Sequence, residues 1–355
     1  MQRCLIIAEA GVNHNGSEDL AYRLVDAAHE AGADIVKFQT FKASDGISKS
    51  AKKARYQQVQ TGSGSQFDLI KKLELEFDAH KRIYEYCKKV GIEYMSTAFD
   101  RASLDLLTNE LNLDRLKIAS GEILNGPLLL DHAARATNLI VSTGMCTLGD
   151  IEQALGVIAY GMSGSALPPC AESFSSVYSS HEGQQLLKEK VILLHCTTEY
   201  PAPFGEINLN VLETLKSGFE LTVGYSDHTQ GIVVPIAAVA LGAKVIEKHF
   251  TLDRNMEGPD HSASIEPYEL KQMVEQIRKV EMALGSSVKK PSQSELTNRS
   301  VARKSLVAGD SIAKGELLTT KNLVIKRPGT GISPMDFWRI LGTRATKKYQ
   351  RDDLI

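Results

Sequence analysis

The 355-residue chain predicts an α/β fold, a (β/α)8 barrel followed by a small β-rich domain. Three observations lead there. Short β-branched runs alternate with amphipathic stretches, the pattern of βα units around a parallel sheet. Gly32, Gly91 and Gly242 each follow a helical run, where glycine can take the left-handed conformation that closes a helix before the next strand. After Gly285 the pattern lapses into the polar stretch Lys289-Lys290-Pro291-Ser292-Gln293-Ser294 and resumes as short apolar runs separated by turns.

The strands are expected at 5–12, 34–41, 92–99, 115–122, 139–145, 191–200, 221–229 and 245–252. Helices are expected at 19–31, where Leu20, Leu24, Ala27, Ala28 and Ala31 fall at helical spacing, and at 267–284, which opens on a proline. The Ser-, Pro- and Gly-containing stretch 162–180 has no period and reads as a surface loop on the face of the barrel opposite the chemistry. The expected division is a barrel over 1–285, a linker over 286–300 and a β-rich module over 301–355. Turn signals at Ala308-Gly309-Asp310, Lys314-Gly315-Glu316 and Arg327-Pro328-Gly329 mark that module. A module this small has a marginal core of its own and is expected to dock on a barrel.

Hydrophobic residues at 43% and charged residues at 24% describe an ordinary globular chain. A net charge of -2 with no long run of one sign argues against nucleic acid as a partner. The five cysteines are odd in number, widely spaced and without a CxxC pair, which fits a reducing compartment and no disulfide framework or zinc knuckle. No secretory signal is read at the start, and the longest uncharged stretch, 229–243, falls short of the ~20 residues a membrane span needs. A cytoplasmic protein without a membrane partner is expected.

In such barrels the catalytic side chains sit at the C-terminal ends of the strands, so polar residues inside apolar strands are informative. They are Glu9, Lys37, Gln39, Lys117, Ser120, Glu122, Ser142, Thr198, Tyr200, Ser226, His228, Glu247 and His249. Lys37 with Gln39, Ser226 with His228, and Glu247 with His249 stand two residues apart, so each pair shares a face of its strand. Lys37 and Lys117 with hydroxyls from Ser142, Thr198 and Ser226 suit an anion bearing phosphate and carboxylate. The competing reading pairs each lysine with a wall glutamate such as Glu9 or Glu122. His228 and His249, at the ends of neighbouring strands, can hold a metal with open positions for substrate, while His14, His195 and His261 read as hydrogen-bonding groups.

At these positions the chain resembles the sialic acid synthase family. The resemblance runs through Ile7-Ala8-Glu9-Ala10-Gly11-Val12-Asn13-His14-Asn15-Gly16, Val36-Lys37-Phe38-Gln39-Thr40, Lys117-Ile118-Ala119-Ser120-Gly121-Glu122 and Ser142-Thr143-Gly144-Met145. It continues through His195-Cys196-Thr197-Thr198-Glu199-Tyr200-Pro201, Gly224-Tyr225-Ser226-Asp227-His228-Thr229, Glu247-Lys248-His249-Phe250-Thr251 and Gly258-Pro259-Asp260-His261. It implies a TIM barrel that condenses phosphoenolpyruvate with N-acetylmannosamine and water to N-acetylneuraminate and phosphate. The alternative acceptor is 2,4-diacetamido-2,4,6-trideoxymannose, giving diacetyllegionaminate.

The resemblance further implies that phosphoenolpyruvate is held by Lys37, Lys117, Ser120, Ser142, Thr198 and Ser226. One divalent ion, Mn2+ or Mg2+, would sit on His228 and His249, and the N-acetylated hexosamine would meet Glu9, Gln39, Tyr200 and Asp260. Threonine at 198 stands where some relatives have asparagine. Glu122 is the candidate for the water proton. The C-terminal module is similar to a SAF, or antifreeze-like, domain of β-clip type, which the resemblance implies is swapped across a homodimer and lends Arg327 to the partner's sugar site. Two rivals remain: a pyruvate aldolase using Lys37 or Lys117 as a Schiff base, and a non-catalytic glycan-binding protein.

Overall fold

Eight parallel strands, nearly all of whose residues are buried, close into a barrel in sequence order. They are β1 (Leu5–Gly11), β2 (Ile35–Thr40), β3 (Glu93–Ala98), β4 (Arg115–Ile118), β5 (Asn138–Ser142), β6 (Val191–Cys196), β7 (Thr222–Asp227) and β8 (Val245–His249). Strands covered on both faces favour near-continuous apolar runs, as in Leu139-Ile140-Val141 of β5 and Val191-Ile192-Leu193-Leu194 of β6. The computed structural model describes residues 3–355, apart from the side chains of Arg55, Tyr56 and Val59. It divides into two compact units, Met1–Gly285 and Ser286–Ile355.

The pleat sets what the barrel interior offers. Ile7, Ile35, Met95, Ile140, Leu194 and Val245 form an apolar plug inside it. Two residues further along those strands, on the same face, stand Glu9, Lys37, Thr97, Ser142, Cys196 and Glu247. The polar layer therefore lies directly over an apolar floor, towards the C-terminal ends of the strands. Outward-facing residues such as Ile6, Val36, Leu139 and Leu193 join the larger core beneath the helices.

The helices of the first unit are α1 (Glu18–Glu30), α2 (Ala43–Gly46), α3 (Arg55–Thr61), α4 (Gln66–Leu73), α5 (Phe77–Val90), α6 (Arg101–Asp105), α7 (Gly126–Arg135) and α8 (Leu148–Ser163). They continue with α9 (Ala171–Tyr178), α10 (His181–Lys190), α11 (Val211–Phe219), α12 (Val233–Ala240) and α13 (Pro267–Leu284). Ser17 caps α1 by accepting the Leu20 N–H, and the helix buries Ala21, Leu24, Val25 and Ala28. Glu266 and Glu269 form a capping box on α13, with Pro267 in the first turn, and Leu270, Met273, Val274 and Ile277 face the core. Gly91 closes α5 in the left-handed region, as its position after the helix leads one to expect. No described helix is long and apolar enough to cross a membrane.

Three expectations are corrected. The strands end earlier than polarity alone suggests: β4 stops at Ile118 and residues 120–124 form a turn, so Glu122 is not on a strand. The stretch 162–180 is not wholly irregular, because α9 lies within it. Phe174 of α9 packs against Tyr160, with ring centroids 5.0 Å apart. In the stretch expected as linker, Ser292 and Glu295 form a capping box that starts α14 (Gln293–Ala302).

The second unit pairs β9 (Ser305–Ala308) antiparallel with β10 (Leu323–Lys326). Isolated bridges such as Ile312↔Tyr349 and Leu317↔Arg344 extend the pairing, and α15 (Phe337–Ile340) follows. Its core is small: Ala308, Ile312, Leu318, Leu323, Ala345 and Tyr349.

Candidate active site

At the C-terminal end of the barrel lies a cavity of about 240 Å³. It brings together Glu9, Lys37, Gln39, Lys117, Ser120, Ser142, Thr198, Tyr200, Ser226, His228 and His249, as the strand-end polarity leads one to expect, with Asp260, which the resemblance alone implied. Glu247, Thr97, Cys196, Gln57, Val12, Ile70, Phe99 and Pro259 complete most of its wall. A larger hollow of about 730 Å³ is lined mainly by apolar residues of α7, α8 and α9. None of its lining residues carries a buried polar atom lacking a partner.

Two buried lysines and two buried glutamates form one network. Lys37 Nζ stands 2.7 Å from Glu9 Oε2 and 3.7 Å from Glu247 Oε1, and Lys117 Nζ stands 3.3 Å from the same Glu247 oxygen. Ser226 Oγ donates to Glu247 Oε1 at 3.2 Å, and Lys37 donates to Thr97 Oγ1 at 3.4 Å. The wall-pairing reading of the lysines is therefore correct in kind, but the partners are Glu9 and Glu247, not Glu122. Burial drives the Glu9 carboxyl above the ordinary range despite Lys37. For Glu247, burial pushes upward but Lys117 and Lys37 outweigh it, leaving a strongly acidic carboxyl. Burial leaves Lys117 below the usual lysine range, whereas for Lys37 the two carboxylates overcome burial and raise it.

Apart from Glu9 Oε2, which is ion-paired with Lys37, four buried polar atoms of the described wall residues have no hydrogen-bond partner: Ser142 Oγ, Thr198 Oγ1, Glu247 Oε2 and His249 Nδ1. Buried polar groups in native proteins are nearly always satisfied, so four around one hollow are free to bond a polar ligand. Gly144 makes this crowding feasible. A side chain there would overlap Thr198 Oγ1 and come within 2.7 Å of Ser120 Oγ and 2.9 Å of Cys196 Sγ, while the Gly144 N–H donates to Ser120 Oγ at 3.0 Å.

His228 and His249 face one another with ring centroids 5.6 Å apart, and Tyr200 lies over His228 at 4.2 Å. The His228 Nδ1 is 2.6 Å from the Thr197 carbonyl, which fixes it as the N–H nitrogen and leaves Nε2 with its lone pair. Burial keeps both imidazoles neutral, lowering His228 and holding His249 well below the usual histidine range. Neutral imidazoles at this separation suit a shared divalent cation with metal–nitrogen bonds of about 2 Å. No described group of three or more His, Cys, Asp or Glu side chains could hold a metal, so water and substrate oxygens would complete the shell. Asp260 lines the same hollow, its carboxyl pushed up to about 6 by burial.

His14, His195 and His261 serve as hydrogen-bonding groups, as expected: His14 Nδ1 accepts from the Gly16 N–H at 3.0 Å, His195 meets the Ile207 carbonyl at 2.6 Å and His261 meets Thr251 at 2.6 Å. Two expected residues do not line this cavity within the chain. Glu122, in the turn after β4, is half-exposed, accepts from Asn125 Nδ2 at 2.7 Å and is not part of the cavity wall. Arg327 belongs to the second unit, where its Nε donates to the Ala302 carbonyl at 3.1 Å. Thr97 and the linking role of Glu247 were missed, although both follow a plug residue by two positions. Gln57 and Ile70 come from α3 and α4, between β2 and β3, and carry no local signal of the site.

Residues 24–289 match the model of the NeuB family. The N,N'-diacetyllegionaminic acid synthase of Campylobacter jejuni is 50% identical over 100% of this chain and 99% of its own length. The N,N'-diacetyllegionaminic acid synthase of Legionella pneumophila is 45% identical over 96% of this chain and 90% of its own. Among solved structures, the N-acetylneuraminic acid (sialic acid) synthetase of Leptospira borgpetersenii, in complex with citrate, aligns with a TM-score of 0.67 and 32% identity over 84% of this chain and 90% of that one.

Proposed function

This chain belongs to the NeuB family, the sialic acid synthases, and we propose that it is the synthase joining phosphoenolpyruvate to 2,4-diacetamido-2,4,6-trideoxymannose. Water enters, phosphate leaves and a nine-carbon 2-keto acid, diacetyllegionaminate, remains. The observation that carries this reading is the group of unpartnered buried polar atoms beside two buried lysines in one hollow. The N-acetylmannosamine reading of the sequence becomes second, because the relative with 50% identity bears the legionaminate name.

Lys37 and Lys117 meet the phosphate and carboxylate charge, with Ser142, Thr198, Ser226 and Ser120 as donors to their oxygens. Two glutamates already balance the two lysines, so the ligand's negative charge rests on hydroxyl donors and the cation as much as on ammonium groups. His228 and His249 would hold manganese or magnesium, which supplies Lewis-acid polarisation of the acceptor aldehyde. The bond forms between the methylene carbon of the enol and the aldehyde carbon. Water then adds at the enol's second carbon, and the carbon–oxygen bond to phosphate breaks. Gln39, Tyr200, Asp260 and Glu9 orient the acceptor. Glu122, next in the chain to the cavity residues Ser120 and Gly121, is the candidate for taking the water proton.

We read the second unit as a SAF domain exchanged within a homodimer, bringing Arg327 of one protomer to the acceptor of its partner. The cytoplasm is the compartment that suits this chemistry and five free cysteines. The Schiff-base alternative draws on the depressed Lys117. Borohydride treatment with pyruvate separates the two, since only an aldolase traps a covalent adduct on Lys37 or Lys117.

The test is mass-spectrometric product identification after incubation with phosphoenolpyruvate, manganese and each acceptor in turn. The expected result is diacetyllegionaminate, formed with kcat/KM at least about tenfold above that for N-acetylneuraminate formation. Absence of any acceptor-dependent product would favour a glycan-binding protein.

A further inference from the structure

The cavity is polar on most sides but not on all. Val12 follows β1, Phe99 follows β3 and Ile70 lies on α4, and the three line one sector of the wall. Behind them stand Phe41 and Leu73, buried in the same apolar cluster, with the Phe41 and Phe99 rings edge to face at 6.3 Å between centroids. The sector over β6 to β8 holds Tyr200, the two imidazoles and Asp260. In a strand-ordered barrel β1 is hydrogen-bonded to β8, so the apolar sector begins beside His249 and runs away from it.

We infer that Val12, Ile70 and Phe99 form a specificity wall that receives the methyl end of a 6-deoxy acceptor. This rests on the synthase reading above. The acceptor's aldehyde carbon must lie at the imidazole end, beside the phosphoenolpyruvate, so its sixth carbon is the carbon farthest along the chain from the chemistry. A methyl group there loses water against an apolar surface at no cost. A hydroxyl there gives up its water and meets hydrocarbon from Val12, Ile70 and Phe99, with more hydrocarbon behind. Phosphate at that position is still less suited, since none of the three side chains carries a charge or a hydrogen-bond donor, and Lys37 and Lys117 both lie in the glutamate network.

The test uses four acceptors with the full-length enzyme: the 2,4-diacetamido and 2-acetamido mannose skeletons, each with and without the oxygen at carbon 6. The enzyme is expected to prefer the 6-deoxy member of both pairs by about 10- to 100-fold in kcat/KM, the range a hydrophobic pocket achieves against an added hydroxyl. Ile70→Thr and Val12→Thr should each shrink that preference at least about threefold, and Ile70→Val should restore it. Equal use of both members of each pair overturns the inference, as does a Thr variant that alters discrimination at carbon 4 and leaves carbon 6 untouched. No phosphate release with any of the four sugars is the separate outcome that overturns the synthase reading itself. Ile70 is only half-buried and Ile70→Val matches Ile70→Thr in shape without the hydroxyl, so these two variants keep the test readable if Val12→Thr folds poorly.

Discussion

The carboxylate of Glu247 takes the ammonium group of Lys117 at 3.3 Å, and the same oxygen lies 3.7 Å from Lys37. One acidic group thus links two cations across the floor of the cavity. Removing one partner of a buried ion pair costs about 3–5 kcal/mol, because the remaining charge loses its compensation. Glu247→Gln should destabilise the enzyme by that order in urea unfolding. Saturating phosphoenolpyruvate should then raise the melting temperature of the variant more than that of the parent, since the anion replaces the missing charge. An equal ligand-induced rise in both would show that the lysines do not meet the ligand.

Thr198 and Ser142 separate function from stability. Their hydroxyls are buried without a partner, so the protein gains no hydrogen bond from them. Thr198→Val and Ser142→Ala should leave stability within about 1 kcal/mol of the parent or raise it, while each weakens phosphoenolpyruvate binding by roughly 10-fold or more, the worth of a hydrogen bond to a charged group. Calorimetric titration alongside thermal melts reads both quantities. A destabilised variant with unaltered ligand affinity would assign these hydroxyls to the fold.

The backbone of Gly144 lies outside the left-handed region, so its requirement is one of space. A methyl group there would displace Thr198, Ser120 and Cys196 together. Gly144→Ala should lower kcat/KM for phosphoenolpyruvate by about 100-fold, as displacements near 1 Å at a reacting centre can do. Activity within twofold of the parent would mean that these three side chains do not hold the ligand.

Acid stability follows from histidines outside the cavity. Burial holds His80 down to about 4 and His14 down to about 3, whereas an unfolded chain titrates both near 6.5. Between those values the unfolded state binds more protons, so stability is full above pH 6.5 and is lost as pH falls through the folded-state values. For His80 alone the loss between pH 7.5 and pH 5 amounts to roughly 2 kcal/mol. His80→Gln should narrow the difference in unfolding free energy between those two pH values by about that amount. Superimposable pH profiles for variant and parent would remove His80 from the account.

Much of the site was legible because a strand shows alternate residues to one face. Ile7 with Glu9, Ile140 with Ser142 and Val245 with Glu247 each give the floor and the polar layer in three residues. Strand ends were less legible: Ser120 and Thr198 lie beyond β4 and β6, in segments whose composition still resembles a strand. The serines around Phe174 and Val177 masked the apolar face of α9, and a lysine- and serine-rich context masked the capping signal Ser292-Glu295. Gln57 and Ile70 reach the cavity only through the placement of α3 and α4, which no local period specifies.

Phosphate release from phosphoenolpyruvate, followed with the 2,4-diacetamido acceptor in chelator and again after manganese is restored, addresses the joint role of His228, His249 and the lysine pocket. The account predicts release that requires the acceptor, stops in chelator and returns with the metal. Undiminished release in chelator, or release indifferent to the acceptor, would contradict it.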